Sequence, residues 1–263
     1  MIDLSDVLSA QARIAALVEH TPAVSSGELN AMAGARVTLK LENLQGAGSF
    51  KLRGALSAMT ALPPERLRRG VAATANGNHA LAVAHAARLL DTTALVVLPE
   101  GSGGGGARAL GARVVCCKDE IADRTVIPAK GSALAMAGAG TVAVELIRDV
   151  GPVDVLVLPV GGGTLAAGCA AAAAALAPGV RVVGVLLRRG TPKPPALHAA
   201  VTVDDAETAA AMRLLHDALG VTVEPNGACA VAALCAGRVP VRPSDRVGVV
   251  VSGGNVLQPL PVG

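Results

Sequence analysis

A repeated rhythm restricts what this chain can fold into: a short run of Val, Leu and Ala, a glycine-bearing turn, then an Ala- and Leu-rich stretch with helical spacing. Val153 to Leu158 and Arg246 to Val251 are nearly unbroken apolar runs, the pattern of strands buried on both faces. Arg36 to Leu41, Val71 to Ala73, Ala94 to Leu98, Val114 to Cys116 and Arg181 to Leu187 also read as strands. Leu4 to Leu17, Phe50 to Met59, Asn78 to Leu89, Thr141 to Val150 and Leu165 to Leu176 read as helices. Asp204-Asp205 opens a further helix to Leu215, with Glu207 close to, but not at, capping-box spacing from Asp205. Gly103 to Leu110 has weak helical character, and the glycine run Glu100 to Gly106 reads as a loop, since each helical glycine costs roughly 1 kcal/mol against Ala. Strands joined through helices by short connections predict an α/β layer with a largely parallel sheet.

The side chains available to fill such layers are small. The chain has one Phe and neither Trp nor Tyr, so Leu, Val and Ala must do the filling that large aromatics usually do. Met32, Met59, Met136 and Met212 fall at helical positions and read as core filler. Glu145, between apolar neighbours, reads as part of a solvated helix face, and His20 as a surface or capping residue. Five cysteines without C-x-x-C spacing read as reduced, mostly buried thiols, which implies a reducing compartment and a cytoplasmic protein.

Several function classes lose support at this point. The formal charge is only +3, and no basic tract is interleaved with aromatics, so nucleic-acid binding is not expected. No run of 18 apolar residues is free of charge and Gly/Pro breaks, so the mean hydropathy of +0.53 does not signal a membrane span. His79, His85, His198 and His216 show no ligand spacing.

Chemistry concentrates at the turns. Gly46-Ala-Gly48, Thr74-Ala-Asn-Gly77, Gly161-Gly-Gly163-Thr164 and Ser252-Gly-Gly-Asn255 each follow an expected strand, where ligands sit in open parallel sheets. Gly161 to Thr164, opening an Ala-rich helix, reads equally as an anion cradle or as a tight packing turn. Lys51 follows Phe50 and lies among small residues, so its stem can enter an apolar cleft. A lysine amine there deprotonates more easily and can form a Schiff base with a carbonyl.

The segment Leu41-Glu-Asn-Leu-Gln followed by Gly48-Ser-Phe-Lys-Leu-Arg-Gly-Ala55 closely resembles the cofactor-lysine segment of the pyridoxal-phosphate enzymes of the threonine dehydratase and serine racemase family. Gly77-Asn78-His79 resembles that family's asparagine loop, and Pro159-Val-Gly-Gly-Gly163 its phosphate loop. Glu224-Pro-Asn-Gly-Ala228 resembles the segment before its last helix, and Val251-Ser-Gly-Gly-Asn255 its C-terminal strand end. The resemblance covers nearly the whole chain and is weakest over 100–130 and 187–200. It implies two open α/β domains of the tryptophan synthase beta-like kind with pyridoxal 5'-phosphate in the cleft between them. The expected division is 1–47 with 131–263 as the large domain and 48–130 as the small one.

By the same resemblance Lys51 would carry the cofactor and act as base at the substrate's α-carbon. Phe50 would flank the cofactor, Asn78 would bond its ring oxygen, Gly161, Gly162, Gly163 and Thr164 would hold its phosphate, and Ser252 would meet its ring nitrogen. Ser49, Asn76 and His79 would line the substrate carboxylate pocket. The implied activity is an ammonia-lyase converting a small hydroxy amino acid, L-threonine or L-serine, to a 2-oxo acid and ammonia, in a homodimer. A racemase or other β-lyase of the same fold, and a non-catalytic binding protein, are the alternatives. Asn76 stands where serine or alanine is usual and cannot relay a proton, which disfavours racemisation. Leu186-Leu187 replaces the family's usual acid, so no metal is expected. Compared with the family, residues are missing around Lys118 to Pro128 and after Arg188.

Overall fold

The computed structural model describes residues 2–75, 77–187, 194 and 196–256. Its helices are α1 (Leu4–Ile14), α2 (Gly27–Ala33), α3 (Lys51–Met59), α4 (Pro64–Arg68), α5 (Asn78–Leu89), α6 (Gly105–Ala109), α7 (Ala133–Val150), α8 (Thr164–Leu176), α9 (Asp205–Leu219) and α10 (Pro225–Cys235). Its strands are β1 (Ala23–Val24), β2 (Arg36–Leu41), β3 (Val71–Ala73), β4 (Ala94–Val97), β5 (Arg113–Val115), β6 (Thr125–Val126), β7 (Val155–Pro159), β8 (Arg181–Leu186), β9 (Ala199–Thr202) and β10 (Arg246–Val251). One sheet has the order β1-β2-β10-β7-β8-β9 and the other β5-β4-β3-β6. Every pairing among them is parallel except that of β1 with β2.

Parallel register is what assembles the site. Leu41 lies opposite Val251, and Val249 opposite Val157, so the C-terminal ends of three neighbouring strands, β2, β10 and β7, share one edge. The chain leaves that edge through the turns that begin at Glu42, Ser252 and Val160.

Helices cover both faces of the larger sheet. Val155 and Val157 pack with Met212, Leu215 and α10, whereas Leu156 and Leu158 pack with α7 and α8. Each such side chain gains about 1.5–3 kcal/mol from burial. A separate cluster joins Leu52, Leu56 and Met59 of α3 to α5 and to Val71 and Val96 of the smaller sheet.

With a single Phe as the only aromatic bulk to space the layers, three helices meet backbone to backbone. A Cβ on Gly168 of α8 would lie 2.1 Å from the Met136 carbonyl oxygen, and one on Gly140 of α7 would lie 2.7 Å from that of Gly168. One on Gly138 would lie 2.3 Å from the carbonyl oxygen of Arg53 in α3. These glycines also explain a difference from the sequence reading. α7 starts at Ala133, where the Ser132 hydroxyl accepts from Ala135 N at 3.2 Å, well before Thr141. Gly138 and Gly140 weaken helical propensity, and close packing overrides them.

Other expectations need correction. α1 stops at Ile14, short of Leu17. Asp204, not Asp205, is the N-cap of α9, which puts Glu207 at the third helical position and completes a capping box. Cys116 and Cys117 are exposed in the connection after β5, while Cys169 and Cys229 are buried. Met32 is half exposed on α2 rather than in the core. Where the sequence lacks family residues near Lys118, a single 3₁₀ turn (Lys118–Ile121) leads straight into β6, which pairs with β3. Most of the Pro-rich connection at 191–195 lies outside the described residues. Among the described residues no helix is long and apolar enough to cross a membrane.

Close packing gives a direct test. Gly168→Ala should destabilise the protein by roughly 1–3 kcal/mol or more, because its methyl group must displace backbone. Gly27→Ala, where nothing lies within 4 Å of the new Cβ, should be neutral or slightly stabilising. Urea unfolding of the two variants checks this, and equal midpoints would refute it.

Candidate active site

Lys51 is placed by two turns laced together. Ser49 forms an isolated antiparallel bridge with Gly253, Phe50 N donates to the Ser252 carbonyl at 3.1 Å, and Gly254 N donates to the Gly48 carbonyl at 2.9 Å. Gly48 has φ +69°, and a Cβ there would meet Asn255 Oδ1 at 2.2 Å, so only glycine fits. Lys51 then begins α3, half-buried, with its Nζ donating to the Ala129 carbonyl at 3.3 Å and lying 5.2 Å from the Phe50 ring centroid. Burial lowers the Lys51 pKa from the usual lysine value, which enlarges its nucleophilic neutral fraction near pH 7.

The amine faces a cleft lined by Lys51, Asn78, Gly162, Thr164, Glu224 and Ser252, among others. Gly163, with φ +79°, turns the chain into α8, so unpaired amides and the positive helix end face the cleft. The Thr164 hydroxyl is buried at this turn with no partner among the described residues. Opposite it, Asn78 is held at both ends of its amide. Its Nδ2 donates to Glu224 Oε1 at 2.5 Å, and its Oδ1 accepts from Asn255 Nδ2 at 2.8 Å. Burial raises the Glu224 pKa, only partly offset by Asn78. The Ser252 hydroxyl donates to the Asn226 carbonyl at 3.3 Å and can rotate toward the cleft.

The remaining sequence candidates divide. Ser49 is fully buried and its hydroxyl has no partner among the described residues. His79 lines an adjoining apolar hollow with Phe50, Lys51 and Ile127, and its Nε2 contacts the Ile127 carbonyl at 2.8 Å. Burial lowers the His79 pKa more than that bond raises it, and the charge of Lys51 lowers it further. A neutral ring donating from Nε2 has an acceptor, not a donor, left over. Asn76 lies outside the described residues.

Sequence reasoning missed a buried charge cluster beside Lys51. Arg53 is fully buried and grips two carboxylates: Glu42 through Nε and Nη2, both at 2.8 Å, and Glu145 through Nη1 and Nη2 at 2.6 and 2.8 Å. Lys40, also fully buried, pairs with Glu145 at 2.8 Å and donates to the Thr21 carbonyl at 2.6 Å. Glu145 is thus a core ion and not a solvated face. His20 is exposed, as expected, and contacts Asp149 at 2.9 Å.

A sequence-family comparison matches residues 14–193 to the pyridoxal-phosphate dependent enzymes. The chain belongs to that family. Pyridoxal phosphate is its cofactor, and the residues present fit it: a buried, unpartnered hydroxyl and a glycine turn at a helix N-terminus suit a phosphate, and a desolvated lysine amine suits an aldehyde. Among curated relatives, the L-threo-3-hydroxyaspartate ammonia-lyase of Saccharomyces cerevisiae is 32% identical over 95% of this chain and 92% of its own. Its alignment runs over 302 residues, more than the 263 present here, so the yeast enzyme carries segments this chain lacks. The fold is that of maize serine racemase (TM-score 0.88, 29% identity, 97% of this chain and 95% of that one). It is equally that of the serine racemase from Dictyostelium discoideum (TM-score 0.89, 27% identity, 97% and 99%). A threonine deaminase from T.th. shares it too (TM-score 0.86, 32% identity, 98% and 100%). The two α/β sheets with surrounding helices match the bilobal architecture of these pyridoxal-phosphate enzymes.

Glu224 and Asn255 also escaped the sequence reading as site residues. The available signal was their place in the two quoted segments, with Glu224 just before Pro225 at a helix start.

The charge cluster yields a prediction with a pH signature. Removing one partner of a buried pair costs roughly 3–5 kcal/mol, so Arg53→Ala should lose that much stability at neutral pH. Burial pushes the Glu145 carboxyl up, but the hydrogen bonds and charges of Arg53 and then Lys40 outweigh it, leaving the pKa below 4.5. A depressed carboxyl pKa stabilises the fold above the unfolded value, and the effect fades as pH falls through the folded one. Glu145→Gln should therefore flatten the loss of stability below about pH 4.5. Denaturant titrations at pH 7 and pH 4 measure both, and an unchanged acid limb in Glu145→Gln would refute the assignment.

Proposed function

We propose that this pyridoxal-phosphate enzyme is an ammonia-lyase that eliminates water from a small hydroxy amino acid of the L-threonine or L-serine type, the resulting imine then taking up water to release ammonia and a 2-oxo acid. One observation carries the preference for elimination. Among the described residues lining the cleft, Lys51 and Glu224 are the only titratable side chains, and Glu224 is engaged by Asn78. A single free base suits abstraction of one α-proton and loss of the β-hydroxyl, whereas racemisation needs a second acid on the opposite face.

In this reading the bound cofactor supplies the electron sink that makes the α-proton acidic. Lys51 carries the cofactor and takes that proton at Nζ. Phe50 flanks the flat ring, and Asn78, oriented by Glu224 and Asn255, donates to the ring oxygen. The amides of Gly161, Gly162 and Gly163 with the Thr164 hydroxyl hold the phosphate. Ser252 meets the ring nitrogen as a neutral partner. The unpartnered Ser49 hydroxyl, with Asn76, receives the substrate carboxylate, while His79 fixes Ile127 so that Ala129 stays against Lys51. The same reading treats 1–47 with 131–263 and 48–130 as two domains closing on the substrate, and the assembly as a homodimer.

Enantiomer interconversion is the competing reading, favoured by the likeness to maize serine racemase. Assays of 2-oxo acid release across hydroxy amino acids decide: ammonia-free conversion of one enantiomer into the other supports the racemase, and binding without turnover supports a binding protein. Lys51→Ala should lose both the visible absorbance and the borohydride-trapped adduct, with turnover down by several orders of magnitude. Lys118→Ala, on an exposed turn, should keep both. Retention of a reducible adduct in Lys51→Ala would overturn the assignment.

A further inference from the structure

The glycine turn offers an anion only neutral groups. Gly161, Gly162 and Gly163 contribute amides and Thr164 a hydroxyl. Among the described residues lining the cleft the single cation is Lys51, whose amine reaches toward Ala129 and is already assigned to the cofactor's carbonyl end. A phosphate monoester near neutral pH carries about 1.5 to 2 negative charges, while a helix N-terminus presents only about half a positive one. The cradle as described leaves most of that charge uncompensated.

The segment across the cleft mouth brings a cation to the turn. Ile127 is fixed on both sides, its N donating to the Ala72 carbonyl at 2.8 Å and its own carbonyl accepting from His79 at 2.8 Å. Ala129 is fixed in turn by Lys51 Nζ at 3.3 Å. Lys130 comes next. Its Cβ and Cδ lie 3.4 and 3.9 Å from where a Cβ on Gly162 would stand, so its stem rests against the middle glycine of the turn and the ammonium lies two bonds further along. Lys130 has neither an ion-pair nor a hydrogen-bond partner among the described residues. These are ordinary van der Waals distances, so the stem and the turn sit in direct contact.

We propose that Lys130 supplies the positive charge for a phosphate monoester seated on the Gly161 to Thr164 turn. The inference rests on that turn being the seat of the cofactor's phosphate, as proposed above, and is independent of whether elimination or racemisation follows. Lys130 is exposed, so its contribution is that of a solvent-facing ion pair and weakens with added salt.

The test is equilibrium binding to the apoprotein, read by visible absorbance, with pyridoxal phosphate and with pyridoxal, which lacks the phosphate. Lys130→Gln should weaken pyridoxal phosphate about two- to fivefold at low salt and leave pyridoxal unchanged. High salt should close the gap, and Lys130→Arg should restore affinity. Unchanged pyridoxal phosphate affinity in Lys130→Gln would overturn the proposal, as would equal weakening of both ligands, which marks a merely structural role. Unchanged cofactor affinity with weaker binding of a dicarboxylic amino acid would place the charge on a substrate's second carboxylate instead. Wild-type protein that binds the phosphorylated and unphosphorylated forms equally would refute the phosphate seat itself, an outcome visible before any variant is made.

Discussion

Everything near the cleft hangs on Arg53. A guanidinium buried without its full set of acceptors would be untenable, and here two carboxylates from different parts of the chain supply them. Glu42 follows β2 of the larger sheet, Glu145 sits within α7, and Arg53 itself lies on α3, whose apolar face belongs to the core of the smaller sheet. One planar cation therefore ties both layers together. The forked geometry of the bonds resists rotation as well as separation, a property that a lysine could not reproduce. Since Lys51 precedes Arg53 by less than one helical turn, the direction of the amine is inherited from this junction.

Small side chains have the complementary part. Where aromatics would set layer spacing by bulk, α3, α7 and α8 approach until carbonyl oxygens leave no room for a methyl group. Such contacts have steep repulsive walls, so a frame built from them has little slack. A frame of this kind and a buried ionic lock constrain the same three helices by unlike means, one through shape and the other through charge.

What is legible in the sequence is what is local. Lys51, the Gly161 to Gly163 turn and Ser252 stand in short segments whose chemistry is contiguous, and the structure gathers them around one cleft. Strands β2, β3, β7 and β10 are legible for the same reason, as short apolar runs between turns. Partnerships are not. Asn78 meets Glu224 across 146 positions, and Arg53 meets Glu145 across 92. Nothing in the neighbourhood of Glu145 distinguishes a core ion from a solvated one, because the difference lies wholly in a distant guanidinium. α7 is longer than its sequence suggests because Gly138 and Gly140 speak against a helix locally and for one only once α3 and α8 are in place. Strands of two residues, such as β1 and β6, carry no periodicity at all.

The sheet order has a consequence for how the protein is made. β10 occupies the middle of its sheet, between β2 and β7, although among the described residues it comes after every other strand. During synthesis β2 and β7 leave the ribosome long before the strand that belongs between them, and each meanwhile presents an open edge facing a gap. They must either wait or pair with something else. Closing the gap also brings Ser252 and Gly253 against Ser49 and Phe50, so the nascent chain has no cofactor pocket until β10 is available. A topology dominated by such distant pairings folds slowly, and its vulnerable period ends only when β10 is in place.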